Sequence, residues 1–148
     1  MKAAKHSLLV VDDEPDLVHS VQDLLRFEYR VLGATRASEG LRILEREPVH
    51  IVMTDQCMPE MTGVEFLRVL RDRWPDTIRL LFTAYADIKA VIDSINQGNV
   101  YRYITKPWDP DELLTIIRDA CAHYDLVAER KRLTGELAAK NQELERTN

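Results

Sequence analysis

Short apolar runs alternate along the chain with segments in which apolar residues recur at helical spacing. Each apolar run predicts a β-strand, and the five runs are residues 7–11, 29–34, 50–54, 78–83 and 100–105. The segments between them predict helices, and the spans are a helix from Pro15, then 38–47 opened by Ser38 or a neighbour, 64–74 and 87–98. Such alternation predicts an α/β fold with a mostly parallel sheet and helices on both faces.

The last predicted helix starts at Pro110 with Asp109 as its cap, and it shows no clear end. Its leucines Leu126, Leu133, Leu137 and Leu144 are spaced 7, 4 and 7 residues apart, which fits a heptad seam. Arg130 and Lys140 fall on the same seam and weaken it. Two interpretations stay open. The helix is a solvent-exposed segment rich in charged residues, or it is a dimerising coiled coil or signalling helix that leads to an output module.

Composition narrows the class of protein. A chain of 148 residues with 45% hydrophobic content suits one domain with a packed core and an appendage. The net charge of −5 argues against nucleic-acid binding by this segment, because phosphate recognition needs a basic face. No apolar run approaches the roughly 20 residues that span a bilayer, and none fits a secretory signal. Cys57 and Cys121 form no metal-binding or redox motif, so we expect a soluble cytoplasmic protein with reduced thiols.

Polar side chains follow the predicted strands where each strand ends. Asp12 and Asp13 follow the first strand, Asp55 the third, Thr83 ends the fourth, and Lys106 follows the fifth. The carboxyl ends of parallel strands share one edge, so these side chains are expected to converge in a single cleft. Crowded carboxylates are tolerable if they hold a hard divalent cation such as Mg²⁺. If a phosphoryl group joins the cation, lysine balances its charge, threonine donates a hydrogen bond, and a carboxylate can be the nucleophile.

Four segments of the chain resemble the four signatures of the response-regulator receiver domain. They are "LLVVDDEPD", "VMTDQCMPEMTG", "LLFTAYAD" and "YRYITKPWD", and the resemblance covers roughly residues 5 to 125 in the family's order and spacing. The resemblance implies a flavodoxin-like, doubly wound, five-stranded parallel sheet of order 2-1-3-4-5, with helices on both faces and an extended C-terminal helix. We expect a receiver domain over residues 1–124 and a helical extension over 125–148, as a coiled-coil linker to an output module.

The resemblance also implies the roles of the cleft residues. Asp55 would be the phospho-acceptor, and Asp12, Asp13, Asp55 and the main-chain carbonyl of Cys57 would hold Mg²⁺. Lys106 would pair with the phosphoryl oxygens. A structural alternative remains open for two of the carboxylates, since Asp12 or Asp13 could merely cap the first helix.

The remaining implied roles concern the switch. Thr83 would move to bond the phosphoryl group, and Tyr103 would be an aromatic side chain that rotates inward on activation. The bond between Lys106 and Pro107 is cis in the family. The alternatives are that Thr83 is a plain strand-end hydroxyl and Tyr103 a static, half-buried strand residue. The chain departs from the family at Thr62, where we expect small consequence, and at 98–100, on the face of helix four, strand five and helix five.

The predicted function is that of a two-component response regulator receiver. A histidine kinase or phosphotransfer protein would be the phosphoryl donor, and homodimers would form through the C-terminal helix or the helix 4–strand 5–helix 5 face. The closing segment "NVYRYITKPWD" resembles receivers joined to transcription-activating ATPase or cyclic-dinucleotide phosphodiesterase modules.

Two other functions stay open. One is a phosphorylation-independent scaffold or dimerisation module, and the other is an aspartate-nucleophile phosphatase. The phosphatase is disfavoured because such enzymes carry a DxD pattern on the first strand, where this chain has "DDE". We therefore expect a signalling domain with no substrate in trans.

Overall fold

A computed structural model describes residues 5–84 and 88–147, without the side chains of Ala90, Val91, Ser94, Glu143 and residues 145–147. Strands and helices alternate throughout the described chain. The elements are β1 (Ser7–Val11), α1 (Pro15–Leu25), β2 (Arg30–Ala34), α2 (Ala37–Arg46), β3 (Ile51–Asp55), α3 (Gly63–Arg73), β4 (Ile78–Thr83), α4 (Ile88–Asn96), β5 (Arg102–Thr105) and α5 (Pro110–Thr147).

The strands form one parallel sheet in the order β2-β1-β3-β4-β5, which confirms the predicted fold class and topology. Its carboxyl ends lie in register: Val11 pairs with Thr54, Asp55 with Phe82, and Thr83 with Thr105. The residues that follow these pairs therefore emerge at one edge of the sheet.

Alternate residues of the central strands build two separate cores. Leu8 and Val10 of β1 pack on one face with residues of α1 and α5, and Leu9 and Val11 pack on the other face with residues of α2 and α3. All four β1 side chains are fully buried. Both faces of the sheet are thus covered, as parallel sheets require, and the strands present polar groups at their ends.

Several element boundaries differ from the sequence prediction. Helix α2 begins at Ala37, and Ser38 does not cap it, because its hydroxyl donates to Glu60 at 3.0 Å. Strand β5 begins at residue 102 instead of 100. Helix α4 ends before Gly98, whose φ of +80° suits the predicted stop. Its predicted start at Asp87 lies outside the described residues.

Helix α5 continues far past the sheet. Asp109 opens it, as predicted, with its carbonyl accepting from Leu113 N at 2.9 Å. Where α5 passes the amino-terminal edge of the sheet, His6 Nε2 lies 2.8 Å from Asp125 Oδ1, and Lys131 pairs with Asp76. The helix shows no break at the expected domain boundary of residue 124. None of the described helices is long and apolar enough to cross a bilayer.

Candidate functional site

Carboxylates from two strands meet at the carboxyl edge of the sheet. Asp12 and Asp13 follow β1, and Asp55 is the last residue of β3. Ligand oxygens of the three carboxylates all lie within 4.8 Å of one another. Asp12 is fully buried, Asp55 is buried, and Asp13 is exposed. The edge therefore holds a cluster of negative charge that is open to solvent on the side of Asp13.

Lys106 places an ammonium group inside this cluster. Its Nζ lies 2.9 Å from Asp12 Oδ2 and 3.1 Å from Asp55 Oδ1. Its backbone N–H donates to the Thr83 carbonyl at 3.0 Å, which extends the β4–β5 pairing by one residue. The peptide bond from Lys106 to Pro107 is cis. Burial alone would lower the pKa of Lys106, but hydrogen bonds and charges from Asp12 and Asp55 outweigh it and raise the pKa.

Asp55 is held in a mixed environment. Burial raises the pKa of its carboxyl and the charge of Asp12 adds to this, while hydrogen bonds from Lys106 and the Gln56 N–H oppose the shift. The net result is a raised pKa. A carboxyl group whose pKa is raised by burial beside a specific charged partner is a candidate for a functional role.

Asp12 has two structural partners. Its Oδ1 accepts from the Glu14 N–H at 2.9 Å, at the start of α1, and its Oδ2 accepts from Lys106 at 2.9 Å. Glu14 is the N-cap residue of α1, and no side chain among the described residues caps this helix, so the bond from the Glu14 N–H orders the turn that leads into α1 and is not a helix cap. The hydrogen bond from Lys106 joins Asp12 to the rest of the cluster.

The charge balance fits a divalent cation. Three carboxylates against one ammonium leave two negative charges in a space of a few ångströms. Carboxylate oxygens are hard ligands of the kind that Mg²⁺ prefers, and the exposed Asp13 leaves room for the waters that Mg²⁺ keeps. The donor set present in the chain thus matches this ion.

The loop after Asp55 is fixed by close packing. A Cβ on Gly63 would lie 2.3 Å from the Asp55 carbonyl oxygen and 2.7 Å from Leu81 Cδ1, so glycine is required there. The side-chain oxygen of Gln56 accepts a hydrogen bond from Val64 N at 2.9 Å, and the backbone carbonyl of Gln56 accepts one from Gly63 N at 2.9 Å. These contacts hold the loop that carries Cys57, whose role through its carbonyl stays a prediction.

Sequence reasoning assigned no role to Gln56. It expected small consequence from the departure from the family at Thr62, and it did not predict that Thr62 caps α3. The Thr62 hydroxyl accepts from Glu65 N at 3.2 Å and caps α3. The sequence "TGVE" from Thr62 to Glu65 follows the capping-box pattern and could have indicated this.

The two proposed switch residues lie on adjacent strands. Thr83 is fully buried, and its hydroxyl donates to the Ala84 carbonyl at 3.1 Å. Tyr103 is half-buried and packs against the core beneath α2 and α3. Both interpretations of Tyr103, as a switch and as a static strand residue, fit this position.

Comparison with known proteins gives a consistent result. The profile described as "Response regulator receiver domain" matches residues 8–118. The hydrogenase transcriptional regulatory protein HoxA of Cupriavidus necator is 39% identical over 137 residues, 93% of this chain and 28% of that protein. HoxA of Bradyrhizobium diazoefficiens is 37% identical over 123 residues, 83% of this chain and 25% of that protein. The chain spans about a quarter of the length of these curated relatives.

A solved structure agrees with these relatives. The signal receiver domain of an HD domain-containing protein from Pseudomonas fluorescens Pf-5 has a TM-score of 0.81 at 32% identity, covering 88% of this chain and 96% of that one.

Proposed function

Because the chain belongs to the response regulator receiver domain family, we propose that Asp55 accepts a phosphoryl group from the phosphohistidine of a histidine kinase or phosphotransfer protein. The observation that carries this assignment is the position of Asp55, between a buried carboxylate and an ammonium group at the carboxyl edge of the sheet. Asp12 is less suited to attack, because its side chain is fully buried whereas the Asp55 side chain is 12% exposed.

In the proposed reaction, a carboxylate oxygen of Asp55 attacks the phosphorus in line. The new P–O bond forms as the P–N bond breaks, and the imidazole of the donor histidine leaves. Lys106, already 3.1 Å from Asp55, would lie beside the incoming phosphoryl oxygens and balance their charge. The chain's contribution is positioning and electrostatics, which dominate phosphoryl transfer.

The acidic cluster would hold Mg²⁺ during this reaction. The ligands would be the carboxylates of Asp12, Asp13 and Asp55 and the backbone carbonyl of Cys57. When bound, the ion neutralises negative charge on the phosphoryl oxygens. Lys106 would reduce the electrostatic repulsion between the carboxylates of Asp12 and Asp55, whether or not the ion is present.

Phosphorylation would then bias a two-state equilibrium through Thr83 and Tyr103. The Thr83 hydroxyl, which donates to the Ala84 carbonyl, would turn to donate to the phosphoryl group. Tyr103 would rotate inward in the phosphorylated form. A shift from mostly inactive to mostly active needs about 5.5 kcal/mol of differential stabilisation.

The longer protein would use this switch to control transcription. Two relatives are named as transcriptional regulatory proteins, and this chain spans about a quarter of their length. Residues 1–124 would form the receiver and residues 125–148 the linker to an output module, in the cytoplasm. The net charge of −5 supports an output in which a different segment binds DNA.

A dimerisation role is a second candidate, favoured by one observation. The four seam leucines of α5 are between 51% and 62% exposed, which is unusual for large apolar side chains that serve only a monomer. Two copies would pair through this seam or through the face of α4, β5 and α5.

The phosphorylation test uses acetyl phosphate as donor, with intact mass as readout. We expect addition of one acid-labile phosphoryl group that depends on Mg²⁺ and is lost in Asp55→Asn. Asp72→Asn, on the exposed side of α3, is the matched control and should behave as wild type. Mg²⁺-dependent labelling of Asp55→Asn would overturn the assignment, and failure of beryllofluoride to change the protein would favour the scaffold function.

A further inference from the structure

Gln56 joins the two ends of the loop that follows β3. The backbone carbonyl of Gln56 accepts a hydrogen bond from Gly63 N at 2.9 Å, and its side-chain oxygen accepts one from Val64 N at 2.9 Å. The chain therefore leaves Gln56, runs through residues 57–62, and returns to the same residue at the start of α3. One side chain and one carbonyl close the loop.

The backbone of Gln56 also orients the carboxylate of Asp55. The Gln56 N–H donates to Asp55 Oδ1 at 2.9 Å and to the Phe82 carbonyl at 3.1 Å. The second of these bonds extends the pairing of β3 with β4 by one residue, because Asp55 itself pairs with Phe82. The direction of the Asp55 side chain thus depends on where the backbone of Gln56 is held.

The outer part of the loop has weaker hydrogen bonds. The N–H and hydroxyl of Ser38 donate to Glu60 Oε1 at 3.4 and 3.0 Å, and both contacts are exposed, so they compete with water. Met58 packs against the core beneath α2 and α3. Apolar packing is non-directional, so it does not fix the direction of a neighbouring backbone carbonyl. The closing bonds at Gln56 are therefore the directional constraint on this loop.

Two side chains accept hydrogen bonds at the start of α3, and they differ in burial. The bond from Val64 N to Gln56 is half-buried, whereas the bond from Glu65 N to the Thr62 hydroxyl is exposed. An exposed N–H that loses its partner turns to water, but a half-buried one is left unsatisfied unless the chain moves. Loss of the Gln56 acceptor should therefore displace the loop, and loss of the Thr62 acceptor should not.

We propose that Gln56 is a positioning residue for the metal ion. By closing the loop through Val64, its side chain would hold the Cys57 carbonyl and the Asp55 carboxylate in the arrangement that binds Mg²⁺. This inference rests on the proposed function, in which those two groups are ligands of the ion. Residues that hold metal ligands in place without touching the ion typically change its affinity by about ten- to a hundredfold when they are removed.

The role is tested by the dissociation constant of Mg²⁺, measured by isothermal titration calorimetry well below the thermal midpoint. Gln56→Met keeps the length of the side chain and removes its acceptor, and we expect the constant to rise about tenfold. Thr62→Val removes the exposed bond at the same helix end and should leave the constant nearly unchanged. An unchanged constant in Gln56→Met, or an equal rise in both variants, would overturn the proposal.

Gln56→Glu provides the rescue, because a carboxylate oxygen can accept from Val64 N in place of the amide oxygen. We expect Mg²⁺ affinity close to that of the wild type. The added negative charge would also attract Mg²⁺ directly, so hydrogen exchange of the Val64 amide is measured in the metal-free protein. This exchange should be faster in Gln56→Met and slow again in Gln56→Glu. Recovered affinity without recovered protection of the amide would show an effect of charge alone and contradict the positioning role.

Circular dichroism checks that each variant is folded. If Gln56→Met is unfolded, Gln56→Asn takes its place with the same expectation, because its shorter side chain withdraws the acceptor from Val64 N.

Failure of the positioning role is distinguishable from failure of the proposed function, because labelling of Asp55 by acetyl phosphate is measured on the same samples. A wild-type protein that is labelled and binds Mg²⁺, together with an unchanged Gln56→Met variant, overturns the positioning role alone. A wild-type protein that is neither labelled nor binds Mg²⁺ overturns both.

Discussion

Lys106 and Asp12 are 94 residues apart in the sequence, and their side chains are joined by a hydrogen bond of 2.9 Å. The same ammonium group reaches Asp55, so the lysine that follows the last strand joins the ends of β1 and β3. The carboxylate cluster is thus partly neutralised by the chain itself before any metal ion enters.

Lys106→Met should destabilise the protein. It leaves Asp12 buried without its cationic partner, and we expect a loss of about 2 kcal/mol in the free energy of unfolding, less than for a fully buried partner because the Lys106 side chain is 22% exposed. Urea denaturation at neutral pH measures this. Lys89→Met, on the exposed side of α4, should change little, and an equal loss in both variants would contradict the role of the cluster.

Asp55→Asn should stabilise the protein at neutral pH. Burial, aided by Asp12, raises the pKa of Asp55 in the fold, so the folded state binds the proton more tightly than the unfolded chain. The stability that Asp55 contributes is therefore present below its unfolded pKa and lost as pH rises through the folded pKa. We expect a gain of about 1 kcal/mol in the free energy of unfolding, which is the usual size for a single stabilising substitution.

The pH dependence separates this effect from ordinary repacking. The gain from Asp55→Asn should shrink as pH falls toward the ordinary carboxyl value of 3.8, because the wild-type side chain is then protonated as well. Urea unfolding over a pH series checks this, with Asp72→Asn as control. A gain that grows on acidification would show that folding lowers the pKa of Asp55 instead of raising it.

Mg²⁺ should raise the thermal midpoint of the wild-type protein. An ion that binds the folded state alone stabilises it by mass action, by about 2.7 kcal/mol at a hundred times the dissociation constant. Asp13→Asn should reduce the shift, and Asp16→Asn, a first-turn residue of α1 outside the cluster, should not. Sodium chloride at matched ionic strength is the salt control, and an equal shift with either salt would exclude a specific site.

Gly63→Ala should destabilise the fold by roughly 2 kcal/mol, because overpacking against backbone cannot be relieved by a side-chain movement. The new Cβ would lie 2.3 Å from the Asp55 carbonyl oxygen, so phosphorylation of Asp55 should also slow. Gly135→Ala is the matched control, since nothing lies within 4 Å of its Cβ position. That change should stabilise α5 by about 1 kcal/mol, the preference of a helix interior for alanine.

The positions of the strands and of the acidic cluster follow from local pattern. Apolar runs such as 50–54 mark buried strands, and the acids after them must lie where parallel strands end. The strand order came from the family resemblance and not from the pattern, because periodicity carries no information about which strands are neighbours. The site residues were therefore predictable once a parallel sheet was assumed.

Other features depend on contacts between distant residues and could not be predicted. In the sequence Arg79 stands among the apolar residues of a predicted strand. In the fold its guanidinium donates to four backbone carbonyls, those of Pro75, Thr77, Gly98 and Asn99. The His6–Asp125 contact likewise joins the residue before β1 to the middle of α5. No local pattern specifies such pairs, because each forms only after the sheet has brought its partners together.

Because α5 is continuous, a change in its angle where it contacts the receiver moves its far end by a larger distance. From Lys131, which pairs with Asp76, the helix runs on to Thr147, roughly 24 Å at 1.5 Å per residue. Each degree of tilt at Lys131 displaces the far end of the helix by roughly 0.4 Å over such a length. A tilt of roughly ten degrees would therefore move the end of α5 at Thr147 by roughly 4 Å.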